Sequence, residues 1–325
     1  MIKFNNFFRL IVSLLAGCLA SNCGSAQAAK TLYTAKGTFS PGSAKVSSFV
    51  ALNLGYSPAQ VQTFTKNVNA FMEVIHKTPC LHPPRGYDVD VYMANCADGS
   101  CDGSRVMTGR TGFIIREWTI TNESQVPKRA DIGPSIEIFI NDLQGVLKTQ
   151  KQDVIGYREP RLLRMIDGFP LLEGGLLVIT NIKRPLFRYV TEEEVLRWNI
   201  ERMETALKNA RESAAKINKD PKSTSAEIEG YKKYVAGFVA EVKKYQDKLN
   251  ALSVEERKAN ARSITGGNIA LPNPDFFDTS RSKTDIQLAV IELYKLDLKQ
   301  GVLSHQLIQQ IRESIDLKSL LNHIR

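Results

Sequence analysis

From Leu196 to Leu252 the chain carries two apolar lines whose members recur alternately three and four residues apart. The first is Leu196, Ile200, Met203, Leu207, Ala210, Ala214 and Ile217. The second is Ile228, Tyr231, Val235, Phe238, Val242, Tyr245, Leu249 and Leu252. An average period of about 3.5 keeps one side of an α-helix turned to a neighbouring helix; a strand, whose side chains alternate with period two, has no use for it. Each line opens on a capping box, Thr191 with Glu194 and Thr224 with Glu227, in which hydroxyl and carboxylate each take up a free amide of the helix start. Only a short polar connection around Asn218, Lys219, Asp220 and Pro221 separates them. The two helices are therefore expected to fold back as an antiparallel coiled-coil hairpin on the order of 40 Å long. Residues 191–262 hold 13 acids and 15 bases among 72 residues, so most of the surface outside the seam belongs in water.

The sequence on either side of this arm has other periods. Ser57 and Pro58 form a helix start, and Val61, Phe64, Val68, Phe71, Met72 and Ile75 follow at helical spacing. Tyr87, Val89, Val91 and Met93 alternate with Asp88, Asp90 and Tyr92, which is strand patterning. Further strands are expected near 113–121, 135–140, 176–182 and 286–290. A third capping box, Ser253 with Glu256, predicts a short helix, and Leu307, Ile308, Ile311 and Ile315 predict a closing one. The segment 147–169 has no clear period. Strands with irregular connections point to an α+β fold. The expected layout is a mixed strand and helix body at 30–190 and 263–325, with the hairpin arm and short helix of 191–262 inserted. A split into two domains near Thr191 is the alternative.

The start of the chain reads as an export signal. Lys3 and Arg9 precede an apolar run, Leu10 to Ala20, broken by Ser13 and Gly17, and Ala26-Gln27-Ala28 supplies an A-x-A cleavage site. About 20 apolar residues are needed to span a bilayer, and this run is too short. Residues 1–28 are thus expected to be a signal peptide. Leu15-Ala16-Gly17-Cys18 resembles the lipobox of bacterial lipoproteins. The resemblance implies cleavage after residue 17, acylation of Cys18 and a membrane tether by a lipid anchor. Both modes of cleavage stay open.

In an oxidising compartment Cys96 and Cys101 are expected to form a disulfide, because Ala97-Asp98-Gly99-Ser100 between them suits a tight turn. Cys80 is left free or pairs with Cys23. His76, Cys80 and His82 are the candidate metal ligands, but zinc sites usually recruit two closely spaced Cys/His pairs and no metal is expected. Asp98 and Asp102 lack the spacing of a calcium loop. The chain has no GxSxG, HExxH, GxxxxGKS/T or GxGxxG motif and only four histidines. Asp88 and Asp90 share a strand face and are the one carboxylate pair of the kind that glycoside hydrolysis uses, although a solvated strand face also explains them.

The formal charge of +9 falls to +7 without Lys3 and Arg9, and the bases are mixed with acids rather than gathered beside stacking aromatics. Nucleic acid is therefore not an expected partner. Periplasmic adaptors of efflux pumps also carry long α-hairpins, but between lipoyl-like halves, and no such repeat flanks 191–252. The leading expectation is a non-catalytic exported envelope protein, without a cofactor, that binds a protein partner or itself through the hairpin. The alternative is a secreted hydrolase of an envelope or extracellular polymer that works through Asp88 or Asp90. A carrier for an apolar ligand is a third.

Overall fold

The computed structural model describes residues 36–40, 48–96, 106–121, 124–129, 135–153, 155–293 and 302–325. The fold is α+β with an inserted helical hairpin, and the chain divides into two compact units. The first comprises 1–142, 162–183 and 277–325; the second comprises 143–161 and 184–276. The unit that carries the hairpin is therefore wider than 191–262.

The first unit is built on a nine-stranded sheet. Its strands are β1 (Phe39–Ser40), β2 (Tyr87–Asn95), β3 (Gly109–Thr121), β4 (Ser124–Arg129), β5 (Ser135–Ile140), β7 (Leu162–Ile166), β8 (Phe169–Leu172), β9 (Leu176–Thr180) and β12 (Leu288–Glu292). They lie in the order β1-β2-β3-β5-β12-β9-β8-β7, with β4 paired to β3. All pairings are antiparallel except β1 with β2. The alternation read in the sequence sets the faces. Val89, Phe113, Ile115, Ile136, Ile138, Ile179 and Ile291 fill one buried cluster. The helices α1 (Ser48–Asn53), α2 (Pro58–His76), α7 (Val302–Ser314) and α8 (Leu317–Leu321) contribute to the same cluster. In α2 all six residues of the predicted stripe are buried, and Ser57 and Gln60 close the capping box reciprocally.

The central strand is the last one made. β12 lies antiparallel between β5 and β9, so the sheet closes only after the chain has passed through the second unit and returned. At the far edge β7 turns into β8 through Asp167 and Gly168, both at positive φ (48° and 86°), which matches the two-residue turn favoured by strand twist. Leu162, Leu163 and Met165 on this edge strand are exposed.

The second unit contains α3 (Leu143–Lys148), α4 (Glu192–Lys219), α5 (Ser225–Ala251) and α6 (Val254–Lys258), with a sheet of β6 (Tyr157–Arg158), β10 (Phe187–Tyr189) and β11 (Ile269–Pro272). Its strands run antiparallel in the order β10-β11-β6, and the hairpin is inserted between β10 and β11. The segment 147–169, which had no readable period, contains the end of α3, the two-residue β6 and the exposed edge strand β7. None of these is long enough or half-buried in the way that produces a clear pattern.

Candidate interaction surface

The hairpin is held at both ends by its backbone. Val190 N–H donates to Ile269 O (2.9 Å), Ala261 N–H to Val190 O (2.8 Å), and Glu192 N–H to Ala259 O (3.0 Å). Val190, Ala261 and Ile269 form a small core beneath them, with Ile155, Val195 and Leu271 packed against it. Three capping boxes are complete, at Thr191/Glu194, Thr224/Glu227 and Ser253/Glu256. Asp220 N–H takes the last carbonyls of α4. Arg257 donates from Nη2 to Leu249 O (3.0 Å) and from Nε to Leu252 O (3.2 Å), which stops α5.

α4 and α5 pack against one another, as the two seams require. Leu207, Ala210, Val242 and Leu249 are buried. Leu196, Ile200, Met203, Ile228, Tyr231, Val235, Phe238 and Tyr245 are half-buried, and no seam residue is exposed. A pair of helices encloses its seam only in part, because each apolar side chain has one neighbouring helix instead of two.

The outer surface of α5 departs from the solvated face expected of it. Tyr234-Val235-Ala236-Gly237-Phe238-Val239-Ala240 is a run of seven residues without a charge, although the seam needs only Val235 and Phe238. Tyr234 is 56% exposed, with Gly237 and Ala240 exposed on the same side of the helix; Val239, 44% exposed, lies on the other flank of the seam, about 140° round the axis. The Tyr234 ring stands edge-on to Phe238 (4.8 Å) and to Tyr231 (6.4 Å), which carries the seam's aromatics out onto the surface. Lys232 and Lys233 bound the run on one side, and Glu241, Lys243 and Lys244 on the other. The signal for this patch is present in the sequence, as uncharged residues at positions outside the heptad line.

The carboxylate pair on the sheet has a different occupation. Asp88 is not a solvated residue; it is 4% exposed. Its Oδ1 accepts Thr38 N–H (2.7 Å) and Thr38 Oγ1–H (2.9 Å), so it pins the parallel strand β1 to the sheet. Asp90 accepts Arg116 Nε–H (2.6 Å) and Arg129 Nη2–H, and Arg129 Nε lies 3.7 Å from Asp88. Arg129 thereby holds β4 to both acids. Charge-assisted bonds of this kind fix a carboxylate as an acceptor, which is a structural use of both side chains.

A second polar row crosses the same sheet face. Tyr92, Gly112, Glu137 and Glu292 stand side by side on β2, β3, β5 and β12. Arg110 Nε is 3.4 Å from Glu137, its Nη2 is 3.9 Å from Asp142, and its guanidinium lies 5.2 Å from the centre of the Phe139 ring. Burial pushes the Tyr92 hydroxyl up, and Glu137 and Glu292 add to this against the opposing effect of Arg110. Tyr92 therefore stays protonated. Only glycine fits at 112, where a Cβ would lie 2.1 Å from Ile136 O and 2.9 Å from Tyr92 Oη. Single sequence positions could not reveal the row, because its members lie far apart in the chain.

His76 ends α2; its ring stacks on Phe39 (3.7 Å), and its Nε2 is 3.2 Å from Nδ1 of His82. Cys80 is a free, half-buried thiol. Among the described residues no group of three or more His, Cys, Asp or Glu is arranged to hold a metal. Cys18, Cys23, Cys101, Asp98 and Asp102 lie outside the described residues, while Cys96 is buried at the end of β2. No helix among the described residues is long and apolar enough to cross a membrane. The chain matches no family model, no curated protein and no solved structure.

Proposed function

We propose that this is an exported, non-catalytic protein of the cell envelope, a binding or scaffold protein whose helical hairpin contacts a protein partner. The observation that carries the reading is the exposed uncharged strip of Tyr234, Gly237 and Ala240 on an otherwise charged helix. Isolated apolar side chains on a surface need no explanation, but a contiguous set rimmed by charge is the signature of a contact surface. The export-type start of the sequence supports the envelope location, with release after Ala28 or a lipid tether at Cys18 as the two forms of the mature chain. The occupation of Asp88 and Asp90 by Thr38, Arg116 and Arg129 supports a non-catalytic role for that pair.

The test is made on the chain purified from its native envelope, with Tyr234→Ser and Ala240→Lys as variants. Both sites are exposed, so the melting temperature should hold while co-purification of the partner, or the envelope phenotype of a deletion strain, is lost. Unchanged partners and phenotype would remove the hairpin from the function. The intact mass of the same material separates an acylated Cys18 from a chain that starts at Ala29.

A further inference from the structure

We infer that the outer face of α5 docks against the same face of a second copy of this chain, antiparallel, with the two-fold axis close to Gly237. The inference rests on the proposed role of the hairpin and names its occupant.

Gly230, Lys233, Tyr234, Gly237, Ala240 and Lys244 recur at three- and four-residue steps and lie along one side of α5, away from the seam. All six are exposed. Gly230 and Gly237 occupy the interior of a 27-residue helix, where glycine is the poorest residue after proline. Nothing among the described residues asks for them there: a Cβ built on either has none of their atoms within 4 Å. Neither position is a turn or a site of positive φ. What bare backbone at two positions one heptad apart does allow is the close approach of another helix, and Tyr234 between them supplies the apolar contact.

The charges select the partner and its direction. In an antiparallel pair centred on Gly237, a residue so many places before the axis faces the residue as many places after it. Lys233 then faces Glu241 of the second copy, and Glu241 faces its Lys233, giving two opposite-charge pairs by symmetry. Gly230 faces Lys244, which brings Glu229 and Lys244 into reach of one another across the axis, again twice. Tyr234 lies over Ala240. Glu241 is already bonded by Lys244 of its own helix (3.0 Å), so each contact adds a cation to an ordered carboxylate. A parallel copy in register would oppose Lys233 to Lys233 and Glu241 to Glu241 and is disfavoured on the same grounds. The product is an antiparallel four-helix arrangement made from two hairpins.

The test is a charge exchange, read by sedimentation velocity over a concentration series of the exported chain. Lys233→Glu and Glu241→Lys each turn two attractive pairs into two repulsive ones. Each should weaken dimerisation by about tenfold or more. The double variant restores opposite charges in both pairs and should return to near the wild-type association. All positions are on the surface, and circular dichroism confirms that the helices are intact. A dimer indifferent to both single changes would overturn the inference and turn attention to the exposed edge strand β7. A chain that stays monomeric at every concentration would overturn it as well. In that case the proposed function is judged separately: if Tyr234→Ser still strips a co-purifying protein, the hairpin docks to a different occupant, and if it strips nothing, both readings fall.

Discussion

Asn141 and Leu288 exchange two hydrogen bonds across 147 residues of sequence: the Asn141 N–H donates to Leu288 O (2.9 Å), and the Leu288 N–H donates to Asn141 Oδ1 (3.0 Å). The same oxygen accepts Gln287 N–H (2.8 Å), while Nδ2 donates to Met107 O (3.0 Å) and Asp285 O (2.8 Å). Asn141 sits at φ 54°, in the left-handed region that asparagine tolerates better than most residues. One buried amide thus ties the end of β5 to the start of β12 and sets where the returning chain enters the sheet.

Asn141→Ala is therefore expected to lower stability by about 3 kcal/mol, since it strands buried donors and acceptors without replacing them. Equilibrium urea unfolding measures this. A loss under about 0.5 kcal/mol, the range of ordinary surface substitutions, would remove Asn141 from that role.

Asp88→Asn keeps the shape of the side chain and removes its charge. Thr38 and Arg129 then lose a charge-assisted partner, and a destabilisation of about 1–2 kcal/mol follows. Thermal unfolding should show a lower midpoint. A catalytic carboxylate would behave in the opposite way, with loss of turnover at an unchanged midpoint.

Acid should loosen the hairpin. Hydrogen bonds from the Thr224 backbone and hydroxyl hold the Glu227 carboxyl below its ordinary range, and those from Ser253 do the same for Glu256. A depressed carboxyl stabilises the fold fully above its unfolded value of about 4.3, and that contribution is lost as pH falls toward the folded value. Helical ellipticity should thus decline as pH is lowered from about 5. In Thr224→Ala the decline should be shallower and start from a less stable hairpin.

Gly230→Ala and Gly237→Ala should each stabilise α5 by about 0.5–1 kcal/mol in dilute solution, because the added methyl meets open space and helix propensity rises. Thermal melts at low protein concentration report this. Destabilisation would mean that the chain itself needs bare backbone at these positions.

Cys80 should be a slow thiol. Burial pushes it up, and a hydrogen bond from Ser314 opposes this only in part. At pH 8 the thiolate fraction is small, so alkylation of the native chain should lag well behind that of the urea-unfolded chain. The same alkylation, followed by mass measurement before and after reduction, tests the proposed bridge between Cys96 and Cys101.

Local elements whose side chains repeat with a period and whose ends carry caps are written in the chain. The two seams from Leu196 to Leu252, the α2 stripe from Val61 to Ile75 and the alternation from Tyr87 to Met93 all have this property, because helices and strands turn a fixed rotation per residue into a face. The uncharged run at Tyr234 was legible by the same logic, as residues left over once the seam had been assigned. The place where β12 enters the sheet, the burial of Asp88 beneath Thr38, and the row of Tyr92, Glu137 and Glu292 arise only on folding. Those relationships join residues far apart in the chain, and no local pattern records which strand will lie beside which. Strand neighbours are chosen by the closure of a shared core, and in this chain that closure waits for residues 277–325.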